Sequence, residues 1–128
     1  MTMLYEEITK KILAACFEIS NELGTGFLES VYQKALIIAL QQKGLRAETE
    51  VGIPVHFRGE RIGMFYADLL VDDKIIVELK AIHAVGPEHK AQVINYLKGC
   101  GLEVGLLINF GKAKMEYHRL HNPDLVRG

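Results

Sequence analysis

Three ionisable side chains stand where a buried strand should be apolar. In FYADLLV, residues Phe65 to Val71, Asp68 is the only charge, and in IIVELKA, Ile75 to Ala81, Glu78 and Lys80 interrupt an aliphatic run. An unpaired carboxylate taken out of water is strongly disfavoured or takes up a proton, so the three need a compensating partner, either a divalent cation or one another. Glu78 and Lys80 are two residues apart and therefore share a strand face. If Asp72-Asp73-Lys74 is a three-residue turn, Val71 opposes Ile75 and Asp68 opposes Glu78, close enough to share a metal. A two-residue turn would set Asp68 against Val77 and on the other face. Hard oxygen ligands favour Mg²⁺ or Mn²⁺ over Zn²⁺, and no cluster of histidine and cysteine suggests zinc. Two carboxylates with a lysine beside them suit hydrolysis of a phosphodiester: the metal polarises the phosphoryl oxygen and acidifies its water, while Lys80 orients that water or stabilises developing charge. On the residues alone, a metal site and a structural ion pair both remain open.

The elements that must position these groups follow from periodicity. Tyr5, Ile8, Ile12, Cys16, Ile19 and Leu23 recur at helical spacing, and Gly24 and Gly26 end the helix. A second helix starts between Thr25 and Leu28 and stops at Gly44. From Thr49 the period becomes two, through Val51, Ile53, Val55 and Phe57, with Pro54 assigning that strand to a sheet edge or bulge. Arg58-Gly59-Glu60 turns the chain into a strand from Arg61 to Val71, and residues 72–74 turn it into a third from Ile75 to Ala81. Glu88 to Cys100 is helical behind Pro87. Val104 to Phe110 and Met115 to Leu120 read as two further strands around a Gly111-Lys112 turn.

At 128 residues the chain has the size of a single domain, taken here as residues 1–128. Its 49% hydrophobic and 24% charged residues describe a soluble globular protein rather than a disordered or membrane one. Fifteen basic against 16 acidic residues leave no global positive field, so nucleic acid has to be held by a local patch. Lys112, Lys114 and Arg119 form a sparse basic stripe that fits either such a patch or a solvated face. Two cysteines, Cys16 and Cys100, read as reduced, buried packing residues, and the N-terminus lacks the pattern of a signal peptide; a cytoplasmic protein without a membrane partner is expected. His83 and His89, beside Gly86-Pro87, are expected in solvent.

Several of these segments resemble a known family. GFLESVY, Gly26 to Tyr32, is similar to the GxxExxY signature through Gly26, Glu29 and Tyr32, and ADLLVDDKIIVELKA looks like motifs II and III of the PD-(D/E)xK nuclease superfamily. The resemblance runs from about Asn21 to His121. It implies an α/β, restriction-endonuclease-like αβββαβ core, a central mixed sheet flanked by helices, with an extra N-terminal helix. It also implies roles: Glu29 as the motif I acid, Asp68 as the motif II ligand, Glu78 and Lys80 as the ExK pair, and the Leu79 backbone carbonyl as a further ligand. Gln92 and Tyr96 resemble the QxxxY motif of RecB-like members, supporting the site or contacting substrate. The proline of the superfamily's name is replaced by Ala67.

Beside these roles stand plainer ones. Glu29 in a first helical turn complements the macrodipole and can pair with Lys34. Tyr32, three residues on, either bonds Glu29 or packs in the core, as second shell or substrate contact. The reading reached is a Mg²⁺-dependent nuclease, with Mn²⁺ able to substitute, acting on nucleic acid, taken to be DNA, without strong sequence specificity, in a homodimer or with a larger protein partner. The alternative is a catalytically silent nucleic-acid-binding or assembly subunit of the same fold.

Overall fold

A computed structural model describes residues 5–125; the two ends of the segment read as one domain, residues 1–4 and 126–128, lie outside the described residues. The chain runs α1 (Glu6–Leu23), α2 (Glu29–Gln42), β1 (Ala47–Phe57), β2 (Glu60–Val71), β3 (Ile75–Lys80), α3 (Pro87–Cys100), β4 (Val104–Asn109) and β5 (Glu116–His121), closing on a short 3-10 turn. The expected αβββαβ succession is α2 through β4, with α1 added before it and β5 after it. Strand bounds shift slightly from periodicity: β1 starts two residues before Thr49 and β5 ends one residue later than alternation suggested.

The five strands lie in sequence order, so β1, with Pro54, is an edge strand as its missing donor requires. β1, β2 and β3 form an antiparallel meander, α3 carries the chain across to β4 parallel to β3, and β5 returns antiparallel. On one face Ile12, Ala15, Cys16 and Ile19 of α1 and Leu36, Ala39 and Leu40 of α2 bury against Leu69, Val71, Ile75, Val77, Leu79, Leu106 and Ile108. On the other, Tyr96 and Leu97 of α3 meet Ile53, Ala67 and Ile76. This division explains the near-continuous apolar run of β4: its six residues are all buried because helices cover both faces. Cys100, expected to be buried like Cys16, is only partly so; it lies at the last turn of α3, where its Sγ donates to the Leu97 carbonyl.

The β1–β2 ribbon turns over at one point. Residues 47, 69 and 71 pack toward α1 and α2, whereas residues 53 and 67, of the same parity, pack toward α3. Strict alternation would keep each set on one face. The switch coincides with Glu50, a non-glycine residue at φ 51°, opposite Asp68 in the gap between the Thr49↔Leu69 and Val51↔Ala67 pairs.

Candidate active site

Asp72 and Asp73 both adopt left-handed φ, 51° and 57°, and the Lys74 amide donates to the Val71 carbonyl. This is the three-residue turn that the metal reading requires, with Val71 opposite Ile75. Arg46 holds it from outside: its amide donates to Asp72 Oδ1 at 2.8 Å and its guanidinium reaches Asp73 at 2.7 Å. Backbone pairing between β2 and β3 then lasts only to Leu69↔Val77. Beyond it side chains take over. The Asp68 amide donates to Glu78 Oε1 at 3.0 Å and the Leu79 amide donates to Asp68 Oδ2 at 2.8 Å. Each carboxyl thus ties one oxygen to the opposite backbone and keeps a second for other partners. Within a strand, the amide and carbonyl of one residue face the same neighbour, so the Leu79 carbonyl also faces this opening between β2 and β3.

Glu78 is 6% exposed and Asp68 partly buried. Burial and the adjacent Asp68 push the Glu78 carboxyl up to about 8. Asp68 is also raised, chiefly by burial and held back by its bond from the Leu79 amide. The two carboxyls lie close enough that each affects the other's titration, and the Asp68 charge adds to burial in raising Glu78. Lys80 supplies positive charge to both. Its Nζ donates to Gln92 Oε1 at 3.2 Å, which ties the lysine to α3. One turn along, the Tyr96 phenol is pushed up to about 12 by burial and by the two acids, partly offset by its hydrogen bond with Gln92. Asp68, Glu78, Lys80, Gln92 and Tyr96 therefore form one connected group.

Two other expected residues stand apart from it. Glu29 is exposed at the start of α2, and no hydrogen bond or ion pair among the described residues joins it to Asp68, Glu78 or Lys34. It lies one turn before Gln33 on the same helix face, and Gln33 does reach the site. Tyr32 is fully buried, which removes it as a substrate contact. Its hydroxyl donates to the Gly24 carbonyl at 2.6 Å rather than to Glu29, and its ring stacks on Phe110 at 4.5 Å. Tyr32 fastens the loop between α1 and α2. Among the described residues no group of three or more His, Cys, Asp or Glu is gathered to hold a metal.

Gln33 and Glu50 belong to the site although periodicity did not single them out. The Gln33 amide donates to the Asp68 carbonyl at 2.9 Å and to Glu50 Oε1 at 3.2 Å, and the Glu50 charge acts to raise Asp68. An acid in an edge strand and a glutamine on a helix both read as solvated; the signal that distinguishes them is the turnover of the ribbon, which only the fold reveals. His89, expected in solvent, instead accepts from the Gly86 amide at 2.8 Å and closes the first turn of α3. Of the basic residues Lys112, Lys114 and Arg119, the two lysines are exposed and Arg119 is partly buried, its Nη1 donating to Thr9 of α1.

The comparisons with known proteins agree with this architecture. A search of curated proteins finds no match. The solved structure of SSO0001 superposes with a TM-score of 0.59 at 23% identity, over 93% of this chain and 60% of that one. An alkaline exonuclease from Laribacter hongkongensis superposes with a TM-score of 0.54 at 17% identity, over 97% of this chain and 73% of that one. This chain thus spans about three-fifths of the SSO0001 structure. The fold they share with the mixed five-strand sheet described above is restriction-endonuclease-like. The description of the PD-(D/E)XK nuclease superfamily matches residues 6–120, a group whose members generally use divalent metal ions. Because that match takes in the strands carrying Asp68, Glu78 and Lys80 and the helix carrying Gln92 and Tyr96, the chain belongs to the PD-(D/E)XK nuclease superfamily.

Proposed function

We propose that this chain is a divalent-metal-dependent nuclease, one domain over residues 1–128, that hydrolyses phosphodiester bonds of DNA without strong sequence specificity. Within the superfamily it is assigned to the GxxExxY group through Gly26, Glu29 and Tyr32, with Gln92 and Tyr96 as a QxxxY motif. The observation that carries the reading is the Asp68–Glu78 pair, held face to face by two backbone amides with Lys80 tethered beside it.

The donor set fits a hard divalent ion. Two partly desolvated carboxyls side by side, each with an oxygen beyond its amide bond, offer what Mg²⁺ or Mn²⁺ takes, and a cation would compensate their burial. Asp68 and Glu78 would hold it with the Leu79 carbonyl, and Glu29 would join from α2. When bound, the ion polarises the phosphoryl oxygen and lowers the pKa of the attacking water. Lys80, oriented by Gln92, holds that water or the charge growing on phosphoryl oxygen. Tyr96 keeps its proton through the neutral range, so it serves as a hydrogen-bond donor and not as a base. A homodimer or a larger partner would supply the grip that a net charge of -1 does not.

The test is cleavage of end-labelled single- and double-stranded DNA with Mg²⁺ or Mn²⁺, beside Glu78→Ala and Lys80→Ala proteins. Metal-dependent cutting by the wild type, lost in both variants, is expected. No cutting by well-folded wild-type protein with either metal would overturn the proposal in favour of a silent binding or assembly subunit.

A further inference from the structure

Beside the site, α3 and the outer part of the β1–β2 ribbon enclose a groove of about 530 Å³, lined by Pro54, His56, Phe65, Asn95, Lys98 and Gly99 among others. It meets the candidate site through one of its lining residues, Phe65. The Phe65 ring leans on the Tyr96 ring at 5.2 Å between centroids and 55° between planes, and Tyr96 in turn is bonded to Gln92. Phe65 is nevertheless 40% exposed, and Lys98 and Asn95 stand exposed on the adjoining wall. No carboxylate among the described residues forms an ion pair with Lys98. The far end is closed: a Cβ on Gly99 would stand 2.6 Å from Ile53 Cγ2 and 3.2 Å from the Pro54 carbonyl, so helix and ribbon touch there.

We propose that this groove is a subsite for an unpaired nucleotide next to the scissile phosphate, with its base stacked on Phe65 and its phosphate on Lys98. The inference rests on the nuclease reading and narrows its substrate to nucleic acid with a single-stranded segment at the cut. An exposed aromatic face with a free cation beside it is the combination that holds single strands, because every base has a π-face and every linkage a charge. In a duplex those faces are covered by neighbouring base pairs. The groove volume lies in the range of pockets that take one small-molecule-sized group, not a stacked pair of strands. Lys98 lies six residues past Gln92, about 9 Å along α3 at the helical rise, which places the cation beyond the reacting group rather than within it.

The experiment compares a fluorescein-labelled oligothymidylate with its duplex on oligoadenylate. Affinity is read by anisotropy without added metal, and ultraviolet crosslinks are mapped by mass spectrometry. Phe65→Ala should weaken single-strand binding roughly tenfold or more and leave duplex binding nearly unchanged, with Phe65→Tyr restoring it. Lys98→Glu, an exposed change that keeps the Phe65–Tyr96 contact, should weaken it too and flatten its salt dependence. The crosslink should fall on Phe65. Single-strand affinity unchanged in both Phe65→Ala and Lys98→Glu, or crosslinks elsewhere, would overturn the subsite. If DNA is still cut in that case, the nuclease reading stands without it; a Phe65 crosslink with no cutting under either metal leaves the groove and removes the nuclease.

Discussion

Asp68 and Glu78 both hold their protons above the ordinary carboxyl range, chiefly because they are buried, and this links the candidate site to pH. The Glu78 carboxyl ordinarily titrates at 4.5 and in the fold at about 8. Below the ordinary value both the folded and the unfolded chain hold the proton. Between the two values only the folded chain does, so stability falls as pH rises through that window and levels off above it. Asp68, also raised, adds to the slope with the same sign. Glu78→Gln keeps an acceptor for the Asp68 amide and removes the buried charge, so the metal-free variant should gain about 1–3 kcal/mol near pH 8 and lose most of the slope. Urea unfolding across the window measures both; a slope unchanged in the variant would show that the titration belongs elsewhere. At this scale the sequence was informative for one physical reason. Charges inside aliphatic runs are conspicuous, which exposed Asp68, Glu78 and Lys80, whereas Gln33 and Glu50 sit in polar surroundings that any solvated surface would share.

The elements hold these residues through tight, local devices. Alternation alone could not choose between the two turn lengths before β3. What selects the longer one is a pair of left-handed aspartates gripped by Arg46, more than 25 positions earlier, a contact that no local pattern contains. Order and type of the elements were legible because most have a clean period or apolar run and a glycine, proline or aspartate turn near one end. The turnover of the ribbon at Glu50 was not, since it breaks that period. The chain leaving Lys80 is pinned by Asn109, a buried side chain that accepts from the Ile82 amide and donates to the Ile82 carbonyl. The approach of α3 depends on Gly105 of β4, where a Cβ would lie 2.8 Å from Val93 Cγ1 and 3.4 Å from Leu97 Cδ1. Gly105→Ala should therefore push α3 outward, destabilise the protein by about 1–3 kcal/mol, and loosen the Gln92–Lys80 bond. Cleavage should fall by up to about a hundredfold, as for other small displacements of catalytic groups. A thermal melt and a cleavage assay on the same protein test this, and an unchanged rate would show that α3 does not position Lys80.

Across the whole molecule, two helices cover one sheet face and a third covers the other, and the site opens at the edge of that third layer. A ligand that binds only the folded chain raises its stability by mass action. Mn²⁺ at a hundred times its dissociation constant should add about 2.7 kcal/mol, or about 10 °C in Tm for a chain of this size. Asp68→Ala should abolish that rise; a rise retained in the variant would place the ion elsewhere. The amphipathic faces of α1 and α2 made the larger core readable, while the smaller core behind α3 depends on the ribbon's turnover and was not. The shortened β2–β3 ladder also bears on how such a fold would lose its chemistry over generations. Alanine at either acid would strip an amide of its acceptor and open the sheet, whereas Asp68→Asn and Glu78→Gln keep both amides bonded and would end the proposed metal binding. Descendants that abandon catalysis are therefore expected to carry amides at these two positions, which would mark a retired site more clearly than its deletion.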